Sequence, residues 1–318
     1  MKILKFIVKM FRSWFPPKSF LVLNFTHNDL DGVGCAIAIK RHFHLDKQDW
    51  ETWDNGKLVL PLVHTKFITY GKDNAVDKKI RETLSWYPKN WEIFIAITDI
   101  TPDTIELCRE IGKDELLIVD HHVSRKDMMD ELKEEGFNVI FDPERSATEL
   151  TCEHFGNKDL LFSKYVNDHD LWKHQYPESK KINALVFLDG GVKKFFKKYW
   201  RCPMSILRDR KLLKKYEDEE IYKAAYIKQK VAVAQKSDYG LYTYANKFIS
   251  DLGQELAKLS ETEMGIIISS KHINFRGRGN ADCAAFAKSL GGGGHKYAAG
   301  CPRTKETLKT VKRRAVKC

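Results

Sequence analysis

The chain has 318 residues, 54 Lys and Arg against 43 Asp and Glu, and 43% hydrophobic residues. That length accommodates two domains with separate cores, and no apolar run approaches the roughly 20 residues that a membrane span requires. Seven cysteines at 35, 108, 152, 202, 283, 301 and 318 are scattered and form no C-x-x-C pair, which argues against a disulfide framework or a zinc ribbon and for a reducing cytoplasm.

The net charge of +11 is unevenly spread: residues 193–236 hold 14 Lys or Arg against 5 Asp or Glu, and residues 303–317 hold seven against one. The motif-bearing remainder is acidic. A cation site approached by a polyanion has this distribution; so do solvated lysine-rich helices.

Residues 1–15 set Lys2, Lys5, Lys9 and Arg12 at helical spacing against Ile3, Ile7, Met10 and Trp14, and Pro16-Pro17 ends the pattern. This basic amphipathic helix either packs on its own domain, the favoured reading, or makes a weak contact with an anionic membrane surface. Phe20–Phe25 predicts a first strand that delivers His27, Asp29 and Asp31, with a helix over 33–43. An extended stretch over 58–67 and a helix over 74–86 follow. Ile93–Thr98 is a buried strand ending at Asp99, after which Thr101 reads as a helix cap and Pro102 as part of the first turn. The unbroken apolar run Leu116–Val119 predicts a buried parallel strand delivering Asp120, His121 and His122. Ser124 to Asp127 has a capping pattern for a helix reaching about 135, Asn138–Phe141 is a short strand, and Ser146-Ala-Thr-Glu149 is a capping box. Leu160–Val166 leads into Asn167-Asp168-His169-Asp170, a further strand end or loop. Strands alternating with helices predict an α/β fold with a mainly parallel sheet covered on both faces, and ligands bind such sheets at the carboxyl ends of their strands.

From 177 to 237 the pattern changes to long charged helices, a helical connector. A smaller α/β domain begins near 238, with a helix over 249–259, strands at 264–269 and 273–276, a helix over 282–290, and four glycines before His295.

Oxygen and nitrogen donors without thiolates favour Mn²⁺ or Mg²⁺ over structural zinc. Several aspartates at one sheet edge repel one another unless cations neutralise them. Two cations about 3.5–4 Å apart form the usual clamp for phosphoester hydrolysis, and Asp99, alone on its strand, is the bridging candidate. Backbone N–H groups of a glycine run can approach a phosphate closely, although a flexible turn is the commoner meaning of such a run. Arg276 is a bidentate phosphate partner by type.

The segments THNDLDGVGCAIAIK at 26–40, DHH at 120–122, SAT at 146–148, NDHDLW at 167–172 and GGGGHKYAAGC at 291–301 occur in one order along the chain. Together they resemble the DHH phosphoesterase family with its DHH-associated C-terminal domain, and are most similar to its NrnB-type nanoRNase (oligoribonuclease) branch. The resemblance implies a two-metal exonuclease or phosphodiesterase that removes mononucleotides from very short RNA, using two divalent cations, Mn²⁺ ahead of Mg²⁺. Carried onto this chain, it implies His27, Asp29, Asp31, Asp99, His121 and Asp168 as metal ligands, with Asp170 the alternative to Asp168. His122 would lie against the scissile phosphate as charge stabiliser or general acid, and Asp99 and Asp120 complete the expected catalytic set. Arg276, Gly292, Gly293, Gly294 and His295 would hold a substrate phosphate. Many members carry a further Asp where this chain has Val33, which leaves open how Asp29 and Asp31 divide between the cations.

The implied organisation is a basic N-terminal segment over 1–17, a DHH catalytic domain over 18–176, the helical connector over 177–237 and a DHH-associated substrate-binding domain over 238–318, with the active site in the interdomain cleft. Expected partners are short single-stranded RNA or DNA oligonucleotides or dinucleotides and a second copy of the chain, in the cytoplasm. Alternatives are a cyclic- or linear-dinucleotide phosphodiesterase, a 3′-phosphoadenosine 5′-phosphate phosphatase, a single-strand DNA exonuclease, or a metal-dependent nucleotide-binding protein without turnover.

Overall fold

The structure is a computed structural model that describes residues 20–45, 52–54, 57–59, 62–70, 75–87, 91–157, 160–173 and 175–313. The basic helix expected over residues 1–15 lies outside the described residues. In chain order the first elements are β1 (Phe20–His27), α1 (Leu30–Leu45), the short antiparallel pair β2 (Thr52–Asp54) and β3 (Lys57–Val59), then β4 (Leu62–Ile68) and α2 (Ala75–Leu84). They are followed by β5 (Glu92–Thr98), α3 (Ile105–Ile111), β6 (Leu116–Asp120), α4 (Lys126–Glu134), β7 (Asn138–Phe141) and α5 (Ala147–His154).

Five of these strands make one sheet in the order β4-β1-β5-β6-β7, every neighbouring pair parallel. Parallel strands covered on both faces read as continuous apolar runs, and Leu116–Asp120 is buried at every position. Alternate residues then serve opposite faces. Leu21, Leu23, Phe25, Ile95, Ile97 and Ile118 pack with Val76 and Ile80 of α2, Leu107 of α3 and Met129 and Leu132 of α4. Val22, Ala96, Leu117 and Val119 pack with Ile39 and Phe43 of α1 and Leu150 of α5. This is the α/β architecture expected from the alternating pattern.

Next come α6 (Leu160–Asp170), α7 (Pro177–Leu188), α8 (Val192–Tyr199) and α9 (Arg210–Ala232). The chain divides into two compact units after Tyr216, inside α9. The stretch 177–237, read from sequence as one connector, is thus shared between the units. Ile182, Leu185 and Val186 of α7 and Phe195 of α8 join Val33 and Ile37 of α1 in a common buried cluster. The apolar positions of those charged helices are core residues of the first unit.

The second unit carries β8 (Gln235–Ser237), β9 (Gly240–Tyr244), α10 (Ile249–Leu259), β10 (Met264–Ile268), β11 (His272–Gly277), α11 (Cys283–Ser289), β12 (Gly293–His295), β13 (Ala298–Pro302) and α12 (Lys305–Val311). Its sheet runs β12-β13-β11-β10-β9-β8, with β9 and β10 parallel and the other pairs antiparallel. Leu252 and Leu256 of α10 pack on Ile267, and Tyr226, Ile227 and Val231 of α9 close the same cluster. No helix among the described residues is long and apolar enough to cross a membrane.

Candidate active site

With the β2–β3 pair set aside, the parallel sheet has the order 2-1-3-4-5, whose direction of winding reverses between β1 and β5. In open α/β sheets ligands bind at such a reversal, beyond the carboxyl ends of the strands. The residues delivered there are His27, the last of β1, Asp99, which follows β5, and Asp120, the last of β6. Asp99 turns the chain out of the sheet with a left-handed φ of 55°, and its N–H donates to Val119 O at 2.9 Å. Left-handed backbone costs most side chains energy and is concentrated at functional sites.

His27 Nδ1 lies 2.6 Å from Asp29 Oδ2 and 3.9 Å from Asp99 Oδ2. His121 Nε2 is 3.6 Å from Asp31 Oδ2, 3.5 Å from Asp99 Oδ1 and 3.4 Å from Asp170 Oδ2. Neither Asp99 Oδ2 nor His121 Nε2 has a hydrogen-bond partner, although both are buried. Buried polar atoms are ordinarily satisfied, so two orphans facing three carboxylates fit a cation. Among the described residues, donor atoms within 4.8 Å of one another form three groups, His27–Asp29–Asp99, Asp31–His121–Asp170 and Asp99–Asp120–His121–His122, and Asp99 lies 3.5 Å from His121.

Two aspartates of these groups are also held by protein donors. Asp120 accepts from the N–H groups of His121 and His122, from His122 Nδ1 at 2.6 Å and from the Thr101 hydroxyl. The helix after β5 starts at Ile105 with Thr104 in the capping position, so Thr101 buttresses Asp120 rather than capping the helix. Asp31 accepts from the N–H groups of Ala147 and Thr148 at 2.8 Å each, at the start of α5. Ser146 caps that helix by accepting from Glu149 N at 3.3 Å. Close passage of α1 over α5 requires Gly34, where a Cβ would fall 2.0 Å from Thr148 Oγ1.

Asp168, expected as a ligand, stands outside the three donor groups, and Asp170, its alternative, stands inside one. NDHD belongs to the last turns of α6 rather than to a strand end. Residues two apart on a helix point about 200° apart, so Asp168 and Asp170 cannot serve one face. Asp168 is 2% exposed and accepts from Gln175 N at 2.7 Å, Tyr176 N at 3.3 Å and the Ser179 hydroxyl, tying α6 to the start of α7. Asp170 is the member of the pair that reaches His121.

Protonation follows from this packing. Burial pushes the Asp99 carboxyl well above its usual range, and Asp31 and Asp29 push it further. Burial, then Asp31 and Asp29, raise Asp170 to about 8. Burial also raises Asp29, but its bond to His27 and the Gly32 N–H outweigh that and hold it down at about 2. Burial alone would lower His122, yet Asp120 beside it raises its pKa above the ordinary value, while burial lowers His121. His122 is thereby biased toward the cationic donor, and His121 toward the neutral form, which is the one that binds a metal.

Tyr70, just after β4, was not singled out by the motifs. Its ring centroid lies 5.4 Å from that of His27 and 6.2 Å from that of His122, its hydroxyl accepts from Thr101 N at 3.2 Å, and it is 37% exposed. A lone Tyr after a strand carries no spacing signal.

In the second unit, Arg276 donates from Nη2 to Ser250 Oγ at 2.9 Å and from Nη1 to Phe275 O at 2.9 Å, while its buried Nε has no partner. The glycine run pairs with β13 as Gly293↔Gly300, Gly294↔Ala299 and His295↔Ala298. Gly294 has φ 140° and a Cβ there would meet Ala299 Cα at 2.5 Å, whereas Gly293 faces open space.

No family model matches the chain. Oligoribonuclease NrnB of Bacillus subtilis (strain 168) is 26% identical over 315 residues, covering 89% of this chain and 73% of that protein. Among solved structures, the DHH domain of a member of a ribosomal-protein family matches with a TM-score of 0.59 and 16% identity, covering 93% of this chain and 88% of that one. The pGpG-specific phosphodiesterase PggH of Vibrio cholerae matches with a TM-score of 0.55 and 15% identity, over 92% of this chain and 96% of that one. RecJ of Thermus thermophilus, solved in complex with Mn²⁺, matches with a TM-score of 0.58 and 10% identity, over 98% of this chain and 54% of that one. The fold, the sequence relative and the clustered acids and imidazoles at the sheet's reversal point agree with the resemblance of this chain to the DHH phosphoesterases.

Proposed function

We propose that this chain hydrolyses short oligonucleotides to mononucleotides with two divalent cations, Mn²⁺ ahead of Mg²⁺. His27, Asp29 and Asp99 would hold one, and Asp31, Asp99, His121 and Asp170 the other. The observation that carries this reading is Asp99, a buried carboxylate with an unpartnered oxygen that neighbours both donor groups. Such cations, when bound, polarise a phosphate and lower the pKa of an attacking water.

The chain's own residues do the rest. Asp120 fixes His122 with Nδ1–H toward the carboxylate and favours the protonated ring, leaving Nε2–H to donate a proton to the leaving oxygen. Thr101 and the two histidine N–H groups hold Asp120 in place for that task. Asp31 is aimed by the start of α5. In the second unit, Arg276, Gly292, Gly293, Gly294 and His295 are the groups that would hold a substrate phosphate.

The relative's name, an oligoribonuclease, supports short RNA as the substrate. A linear dinucleotide is the second reading, supported by the pGpG specificity in the name of PggH. The test is a product time course with Mn²⁺ on 5′-labelled RNA and DNA of two to twenty nucleotides, with pGpG and 3′-phosphoadenosine 5′-phosphate as competitors. Mononucleotides should appear faster from RNA of two to five nucleotides than from any longer strand. Preference for long DNA would replace this reading with a single-strand exonuclease, and tight binding without product would leave a nucleotide-binding protein.

A further inference from the structure

The second unit has a cavity of about 440 Å³ that none of the motifs touches. Tyr222, Tyr226 and Lys230, spaced four apart on α9, form one wall, and Tyr244 to Lys247, Ile268 to Ser270 and Arg303 form the rest. Its size lies within the range of about 300–1,000 Å³ usual for small-ligand pockets.

Its chemistry is one-sided. Lys247 Nζ sits 5.1 Å from the Tyr222 ring, Lys230 Nζ 5.6 Å from the Tyr226 ring, and Arg303 Cζ 5.9 Å and Lys312 Nζ 4.9 Å from the Tyr244 ring. No Asp or Glu lines the cavity, and none of these four cations has an ion-pair partner among the described residues. Arg303 instead donates to Ser269 O at 2.9 Å, which fixes its guanidinium at the rim. Tyr222 and Tyr244 are 48% and 41% exposed, so part of each ring is open to solvent beside the cations that lie over it.

Three cations, Lys230, Lys247 and Arg303, line the cavity without a carboxylate; like charges gathered this way repel one another and call for an anion. Exposed tyrosine faces among them call for a flat π-system, and Lys and Arg with aromatic platforms are how single strands are bound without sequence preference. Arg276 does not share this place. Tyr244 is level with Ile268 and Ile273, whereas Arg276 is level with Gly265, three residues or roughly 10 Å further along the sheet.

We propose that this cavity is a second nucleotide-binding site, in which a base stacks on an exposed tyrosine while Lys230, Lys247 and Arg303 take its phosphates. The inference goes beyond the proposed reaction, because it holds whether or not the first unit turns over a substrate.

The test is fluorescence anisotropy of a fluorescein-labelled twelve-nucleotide RNA with the full chain in EDTA. Tyr244→Leu should weaken binding at least fivefold, and Tyr244→Phe, which keeps the ring, less than twofold. Lys230→Gln with Lys247→Gln should weaken binding and flatten its salt dependence by roughly two phosphate contacts. Displacement by AMP with the same Tyr244→Leu sensitivity identifies a free mononucleotide as occupant; displacement by oligonucleotides alone identifies a strand. Binding unchanged in Tyr244→Leu overturns the site, as does loss in the lysine variant alone, which would mark a general polyanion surface. Because binding is read without cations, a chain that binds and never hydrolyses overturns the reaction proposed above while supporting this site.

Discussion

The acid cluster of the first unit and the tyrosine-walled cavity of the second each gather charge of one sign, but they store it differently. Asp99 is 1% exposed and its oxygen has no partner, so its charge has no solvent to fall back on. The cations of the cavity stand at the surface, where water and salt screen them. Buried like charges must be resolved by protons or by counter-cations; exposed ones need nothing until a ligand arrives. The first region should therefore respond to metal and pH, the second to ionic strength.

The largest effect should come from removing the charge proposed to bridge the two cations. Asp99→Asn should lower Mn²⁺-dependent hydrolysis on the order of a thousandfold, while melting of the metal-free protein in EDTA rises or holds, because an amide ends the repulsion. A variant that melts lower yet still turns over would mean that the carboxylate serves only the fold.

Asp168 and Asp170 sharpen the same contrast within one helix. Asp170→Asn should cut turnover about a hundredfold with the fold intact. Asp168→Asn, which weakens charge-assisted bonds to the start of α7, should instead cost about 2 kcal/mol of stability in denaturant melts. Equal loss of activity in both, at unchanged stability, would break the assignment.

pH separates protons from metal. Asp170 is raised to about 8 from 3.8, so its proton stabilises the fold fully below about 3.8 and that contribution is lost as pH rises through 8. Metal-free melting temperature should therefore carry a falling component from about pH 4 to about pH 8, and Mn²⁺ should raise it more at about pH 8 than at about pH 6, by about 5 °C. A Mn²⁺ effect independent of pH would refute this coupling.

The smallest effects lie in the second unit. Gly294→Ala should destabilise by about 2 kcal/mol, from the positive φ and the contact with Ala299, whereas Gly293→Ala should stay within about 0.5 kcal/mol. Calorimetry of the two variants compares them directly; similar losses would remove close packing as the reason for the glycines.

Much of the first unit was legible because its signals are local. An apolar run such as Leu116–Val119 needs no partner to be read as a buried strand, and Ser146 with Glu149 specifies a helix start within four residues. What escaped were choices made by tertiary contact. Thr101 has the sequence context of a cap, but Asp120 across the sheet claims its hydroxyl. Asp168 and Asp170 are indistinguishable by type, and only the position of α7 decides which one turns inward. The cavity draws on α9, the end of β9, the β10–β11 turn and Arg303, four segments that no linear spacing connects.

Asp99 also constrains what mutation can do to this protein. The side chains that adopt its backbone conformation most readily are glycine, asparagine and aspartate itself, and of these aspartate alone carries charge. Negative charge and a readily adopted turn thus coincide best in aspartate, so the position has few functional synonyms. One nucleotide change, from an aspartate codon to an asparagine codon, would produce a silent twin with the same shape, able to occupy substrate and compete with the working enzyme.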